Sequence, residues 1–489
     1  MDLYFSDVFK VKPRVIERYG AFNISLVADL PLFVDPFLIF NSRRRVYREL
    51  HRQIVRYLEF LYDKAQSQKL DDGLVAAWYR FPEIEQNWLG FSATGNHGRG
   101  LGSKFAGELH KNLGVLFNGL NQAHITKDVH LEKLCLVSDR VGKDNISDFT
   151  NNLIHGFLLD YTSAFAKKYI DKPLRRIVAV QKVRFNYKTE TWASGRFDLP
   201  VHNGRHVLLT PKDLLTKDDT WINKTDLFDD FDQIPQAIPN LELRQQINNY
   251  FRSLLPRRRK KPIKKSEKDA AIVDTVRRFP ELVDYYIRFK EEHGARAVSI
   301  SDARVKESEQ LYVRQIGDFV AFLAAKTDFY KDGADSYDAA LRRARFLKDA
   351  IENKGCHRIF YVNGTPIQRE SDVQILYRLT WFGTSLDVTR EANDGRGPAD
   401  FKISRGAKDK SLVEMKLAGN TQLERNLKNQ SKVYEKASDA KRSVKIIIYF
   451  SVAERRRAEA ILKRLELERD EAIVLIDARA DNKPSGSKA

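Results

Sequence analysis

Residues 395–419, GRGPADFKISRGAKDKSLVEMKLAG, hold two strand-like runs, ADFKIS and SLVEMKLAG, joined by the polar, glycine-containing turn RGAKDK. On a strand, residues two apart share a face, so Glu414 and Lys416 point one way and Met415 points the other, into a core. Asp400 begins the first run, and the hairpin returns it beside Glu414. Two carboxylates so close repel unless a cation lies between them, and hard oxygen donors suit Mg²⁺ or Mn²⁺. Asp400 and Glu414 are therefore the candidate metal ligands. Lys416 beside them has the chemistry to orient a nucleophile or to neutralise charge building on a phosphoryl oxygen.

Outward from the hairpin, the order of elements is sharp. RESDVQILYRLTWFG reads as a helix with Val373, Leu376, Tyr377 and Trp381 on one face, and SLDVTREAN alternates as a strand. After the hairpin, TQLERNLKNQSKVYEKASDA reads as a helix and VKIIIYFS as a buried strand. A helix, AERRRAEAILKRLEL, and a strand, AIVLIDA, follow. The core order is helix, three strands, helix, strand.

This order, with GPAD followed by VEMK, resembles the PD-(D/E)xK phosphodiesterase superfamily of nucleases, over roughly residues 365 to 455. The proline and aspartate are not adjacent here, because Ala399 separates Pro398 from Asp400. The resemblance implies a restriction-endonuclease-like αβββαβ core in an α/β protein. It makes Asp400 the metal-binding aspartate, Glu414 the second ligand and Lys416 the catalytic lysine. The first core helix of such nucleases often adds a glutamate, for which Glu370 is the candidate. Some branches place a Gln and a Tyr four apart on the helix after the Glu-x-Lys strand, and Gln430 and Tyr434 match that spacing. The implied activity is Mg²⁺-dependent hydrolysis of DNA. A ribonuclease or toxin nuclease, or a nuclease fold that binds nucleic acid without cutting, is the alternative. Recognition regions joined to such domains occur in bacterial restriction and anti-phage defence proteins.

The remainder bounds the partners. Among 489 residues, 42% are hydrophobic and 31% charged, with a net charge of +18, which suits a polyanionic partner such as nucleic acid. LLPRRRKKPIKKSEK, residues 254–268, has two prolines and eight basic residues. It reads as a boundary linker whose Arg257, Arg258, Arg259, Lys260 and Lys261 can grip phosphates. Arg390 and Arg396 are further candidate phosphate contacts. The expected organisation is a mixed α/β N-terminal recognition region (1–253), that linker, a helical segment (269–355), the nuclease domain (356–480) and a disordered tail (481–489).

In the N-terminal region, a long helix is expected from a Ser42 cap to about Lys64, burying Val46, Leu50, Ile54, Leu58 and Leu61. RRIVAVQKVRFNY and RHVLLT read as strands, the second after the turn HNGR. In the helical segment, ELVDYYIRFKEEHG is expected to stop at Gly294, and the helix 336–354 at Gly355. GNHGRGLGSKF, residues 95–105, does not have Walker spacing and reads as a flexible loop.

Cys135 and Cys356 are the only cysteines, which excludes a disulfide framework or cysteine zinc site and fits a cytoplasmic setting. No apolar run is long enough to span a bilayer: FNISLVADLPLFVDPFLIF is broken by Asp29, Pro31, Asp35 and Pro36. The expected protein has no membrane partner and is open to homo-oligomerisation.

Overall fold

The computed structural model describes residues 3–27, 29–67, 71–90, 101–122, 125–138, 140–217, 219–256, 263–326, 335–362, 364–379, 381, 386–393, 398–406, 409–428 and 442–483. The chain is a mixed α/β structure. A short strand, β1 (Leu32–Val34), precedes a long helix, α1 (Arg45–Ser67). Leu50, Ile54, Leu58 and Leu61 are buried at helical spacing, as expected. Two details differ. Val46 is 46% exposed, so the apolar stripe begins at buried Tyr47. Ser42 lies outside the first turn, and its Oγ accepts from Arg44 N at 3.2 Å rather than from a helical amide.

Helices α2 (Ser103–Gln122), α3 (Lys143–Leu153) and α4 (His155–Tyr169) follow. The strands β2 (Arg175–Asn186) and β3 (Thr191–His202) then form an antiparallel ribbon. Asn203 (φ 48°) and Gly204 (φ 78°) make the two-residue turn into β4 (Arg205–His206). RHVLLT is a strand only over those first two residues. Beyond them its amides change partners: Leu208 N donates to Gln86 O at 2.8 Å and Leu209 N to Thr162 Oγ1 at 2.9 Å. Strand β5 (Leu215–Lys217) pairs antiparallel with β1.

Helices α5 (Leu241–Leu254), α6 (Lys265–Arg278) and α7 (Glu281–Glu292) come next. They share a hydrophobic core with Phe37, Ile222, Leu227 and Phe231. Buried polar contacts fasten α7 to the segment before α3: His130 Nε2 lies 2.9 Å from Glu291 Oε1, and Lys133 pairs with Asp284. Helix α7 ends at Glu292, two residues before Gly294, with His293 as its C-cap. Gly294 opens α8 (Gly294–Ser308) directly. Its lack of a side chain serves a close approach instead, because a Cβ there would lie 2.2 Å from Asn41 Oδ1.

A π-helical turn (Glu309–Gln315) leads into α9 (Ile316–Lys326). Helix α10 (Ser336–Asn353) then lies across β9 to β12 of the C-terminal sheet, and Gly355 follows at φ 74°, where the sequence places the stop. After the small ribbon of β6 (Tyr361–Val362) and β7 (Thr365–Pro366) comes α11 (Glu370–Leu379), with Val373 and Tyr377 buried. The sheet is formed by β8 (Asp387–Asn393), β9 (Pro398–Arg405), β10 (Asp409–Leu417), β11 (Arg442–Tyr449) and β12 (Ile473–Asp477). Its spatial order is β12-β11-β10-β9-β8. The pairs β8/β9 and β9/β10 are antiparallel, and β10/β11 and β11/β12 are parallel.

Parallel neighbours need a crossover. Residues 423–428 are the described helical part of the first, and α12 (Val452–Arg464) is the second. Period-two alternation separates the faces. Phe401, Ile403, Val413, Met415, Val444 and Ile446 join the main core, while Ile447 and Tyr449 pack with Leu423, Leu427, Ala458 and Ile461. None of the described helices is long and apolar enough to cross a membrane.

Candidate functional site

The ladder between β9 and β10 pairs Phe401 with Val413, which leaves Asp400 and Glu414 as the next residues along the two strands. Both lie on the face opposite Phe401 and Met415, together with Lys416. On this face Ile447, the register partner of Lys416, packs with Leu423, Leu427 and α12, and all three site residues are withdrawn from solvent. Asp400 is 7% exposed and Glu414 3%, and the Lys416 side chain 10%. Strand alternation alone puts Lys416 on an open face. In the structure that face is buried.

Asp400 Oδ2 accepts from Met415 N at 2.5 Å and lies 3.5 Å from Lys416 Nζ. Both contacts fall on Oδ2; Oδ1 takes none among the described residues. Glu370, at the start of α11, reaches the end of β10 from the other side. Its Oε2 is 3.5 Å from Lys416 Nζ, and its Oε1 accepts from Leu417 N at 3.2 Å and Asn420 Nδ2 at 2.8 Å. The ammonium thus sits between two carboxylates, at ion-pair distance from each. Burial raises the pKa of Asp400, against the opposing pull of Lys416 and the Met415 amide. Burial alone would lower that of Lys416, but Asp400, Glu370 and Glu414 together outweigh it and raise it, so the lysine is held as a cation.

The chain leaving β10 is pinned beside this cluster. After β11, Ser451 Oγ accepts from Glu454 N at 3.2 Å and so caps α12, and Glu454 Oε2 accepts from Phe450 N at 2.6 Å. Arg457 donates to Gly419 O at 3.1 Å and Asn420 O at 2.9 Å. A cleft of about 570 Å³ opens here, lined by Arg369, Glu370, Asn420, Phe450 and Glu454.

Of the residues singled out from the sequence, Asp400, Glu414, Lys416 and Glu370 come together. Gln430, Tyr434, Arg396 and the basic run Arg257 to Lys261 lie outside the described residues, as does the side chain of Arg390 on β8. Reading by spacing missed Asn420, Arg369 and Glu454, which meet the site only through the fold. It also missed Lys445, the parallel-strand partner of Glu414, which is buried on the same face. Alternation within VKIIIYFS, with Lys445 in step with Ile447 and Tyr449, is the signal that finds it. Among the described residues, no group of three or more His, Cys, Asp or Glu forms a ready metal cage.

No curated protein and no solved structure matches the chain. Residues 10–223 match a domain of unknown function, DUF8370. Residues 336–452 match a second, DUF8371, which therefore runs from α10 through β11 and contains Glu370, Asp400, Glu414 and Lys416.

Proposed function

We propose that the chain is a metal-dependent nuclease of the PD-(D/E)xK kind, hydrolysing phosphodiester bonds, with DNA as the favoured substrate. The observation that carries this reading is the seating of Lys416 between Asp400 and Glu370, beside Glu414, on the central strand of a mixed sheet. Three antiparallel strands followed by a parallel one, with a helix before them and helical residues at the crossover, support a restriction-endonuclease-like core.

The donor set fits Mg²⁺ or Mn²⁺. Asp400 and Glu414 offer only hard carboxylate oxygens, Asp400 Oδ1 takes no contact among the described residues, and burial makes an uncompensated negative charge there unfavourable. When bound, such an ion supplies a water of lowered pKa and neutralises phosphoryl charge. The chain's own residues do the rest. The Met415 amide orients Asp400. Glu370, tied to Leu417 N and Asn420, holds the ammonium of Lys416 in place. Lys416 presents a fixed positive charge where a phosphoryl oxygen gains negative charge, without reorganisation at the moment of reaction.

Incubation of the full chain with DNA and with RNA of the same sequence tests the reading. Cutting is expected in Mg²⁺ or Mn²⁺ and is lost in EDTA, while Ca²⁺ supports binding with little cutting. Undiminished cutting in EDTA overturns the metal-dependent mechanism. Cutting of RNA alone replaces DNA by RNA as substrate.

A further inference from the structure

A second cleft, of about 600 Å³, lies where Arg369 faces the N-terminal half of the chain. Arg369 lines this cleft and also the one at Glu370, so the two adjoin through a single residue. One wall is a face of α8 carrying Arg296 and Arg304. Eight residues of helix separate them, about 12 Å along the axis, which suits two separate phosphates rather than one. The lining also includes Lys143 and Trp221, whose indole nitrogen donates to Lys290 O at 3.0 Å.

The charge balance favours an anion. Lys143, Lys290, Arg296, Arg304 and Arg369 face Asp219, Asp226 and Asp230. Asp226 is engaged by Lys290, and the lining as a whole carries five cationic side chains to three acidic ones. Arg296 is exposed and, among the described residues, has no acidic partner. Arg304 is aimed by its hydrogen bond to Lys217 O at 3.2 Å.

The wall is also fixed relative to the candidate site. Lys217 Nζ lies 3.6 Å from Asp372 Oδ1, to which Tyr312 OH donates, and all three residues are buried. Asp372 stands two residues after Glu370 on α11. A rigid path therefore runs from Arg304 through Lys217 and Asp372 to Glu370.

We propose that this second cleft is the track along which the sugar–phosphate backbone of the substrate strand reaches the cleft at Glu370, the carboxylate 3.5 Å from Lys416, with Arg296, Arg304 and Arg369 contacting successive phosphates. Recognition of this kind is electrostatic and independent of base sequence, and it holds for DNA and RNA alike. The assignment rests on the nuclease reading.

The test uses fluorescence anisotropy of the full chain in EDTA, with labelled single-stranded DNA and RNA of about twenty nucleotides. Arg296→Glu and the double variant Arg296→Glu/Arg304→Glu are compared with Arg176→Glu/Arg196→Glu on the β2–β3 ribbon. The double variant on α8 is expected to weaken binding about tenfold or more and to flatten the salt dependence by one to two contacts. Arg296→Glu alters only an exposed side chain and is expected to show part of that loss with an unchanged melting temperature. The ribbon variant is expected to bind as the parent does. Parent-like affinity and salt dependence of the α8 variants, in a chain that binds and cuts nucleic acid, overturns the track and leaves the nuclease reading intact. A parent chain that neither binds nor cuts DNA or RNA overturns both.

Discussion

Lys416 Nζ lies 3.5 Å from both Asp400 and Glu370, and its side chain is only 10% exposed. Its removal has a structural consequence as well as a chemical one. In Lys416→Met the stem is kept, but two carboxylates lose the cation between them, and one of them is almost fully buried. A loss of about 3 to 5 kcal/mol at neutral pH is expected, the range for breaking a buried pair. The sign with pH follows from Asp400. Its pKa is already raised by burial, so the folded state holds a proton there more tightly than the unfolded state does. Without Lys416 that difference widens, and the variant regains stability as pH falls from 8 towards the raised pKa. Thermal melts of parent and variant at pH 8 and pH 5 check this. An equal deficit at both pH values contradicts it. The shared face of Asp400, Glu414 and Lys416 was legible in the sequence because strand period is local. The burial of that face was not, because elements distant in sequence, Glu370 on α11 among them, close on it in a way that residue spacing does not encode.

At the scale of elements, the strands of the C-terminal sheet were legible because alternation and apolar runs agree with burial, as in VKIIIYFS, where Val444 to Ile448 are all buried. Reading failed where tertiary partners decide. Leu208 and Leu209 look like strand residues, yet their amides bond to Gln86 and Thr162, which ends β4 after two residues. Gly294 looks like a stop, yet it opens α8, and its bare Cα lets Asn41 Nδ2 donate to Gly294 O at 2.9 Å. Gly294→Ala places a methyl group within 2.2 Å of Asn41 Oδ1, and its helix propensity gain does not offset that clash. A net loss of about 1 to 3 kcal/mol is expected, the scale of overpacking. Asn41→Ala combined with Gly294→Ala recovers part of it. Chemical denaturation measures both, and a Gly294→Ala protein more stable than the parent contradicts the close-approach account.

For the whole molecule, the join between the N-terminal half and the C-terminal sheet decides whether the cleft and the candidate site keep a fixed relation. Asp372 is the pivot, accepting from Tyr312 and facing Lys217. Asp372→Ala leaves the Lys217 ammonium buried without its carboxylate and is expected to cost about 3 to 5 kcal/mol, while adding Lys217→Met restores much of the loss. Calorimetry follows both, and a melting temperature unchanged by Asp372→Ala contradicts the join. The nuclease reading itself is tested most directly by the rate of DNA cleavage in Mg²⁺ by the parent, Lys416→Met and Asp400→Ala, at a temperature where circular dichroism finds all three folded, with metal binding titrated alongside. Lys416→Met is predicted to lose about a hundredfold or more in turnover while still binding metal, and Asp400→Ala to lose both cutting and metal affinity. A folded Lys416→Met protein that binds metal and cuts at the parent rate would contradict the assignment of Lys416 and, with it, the catalytic reading of the hairpin.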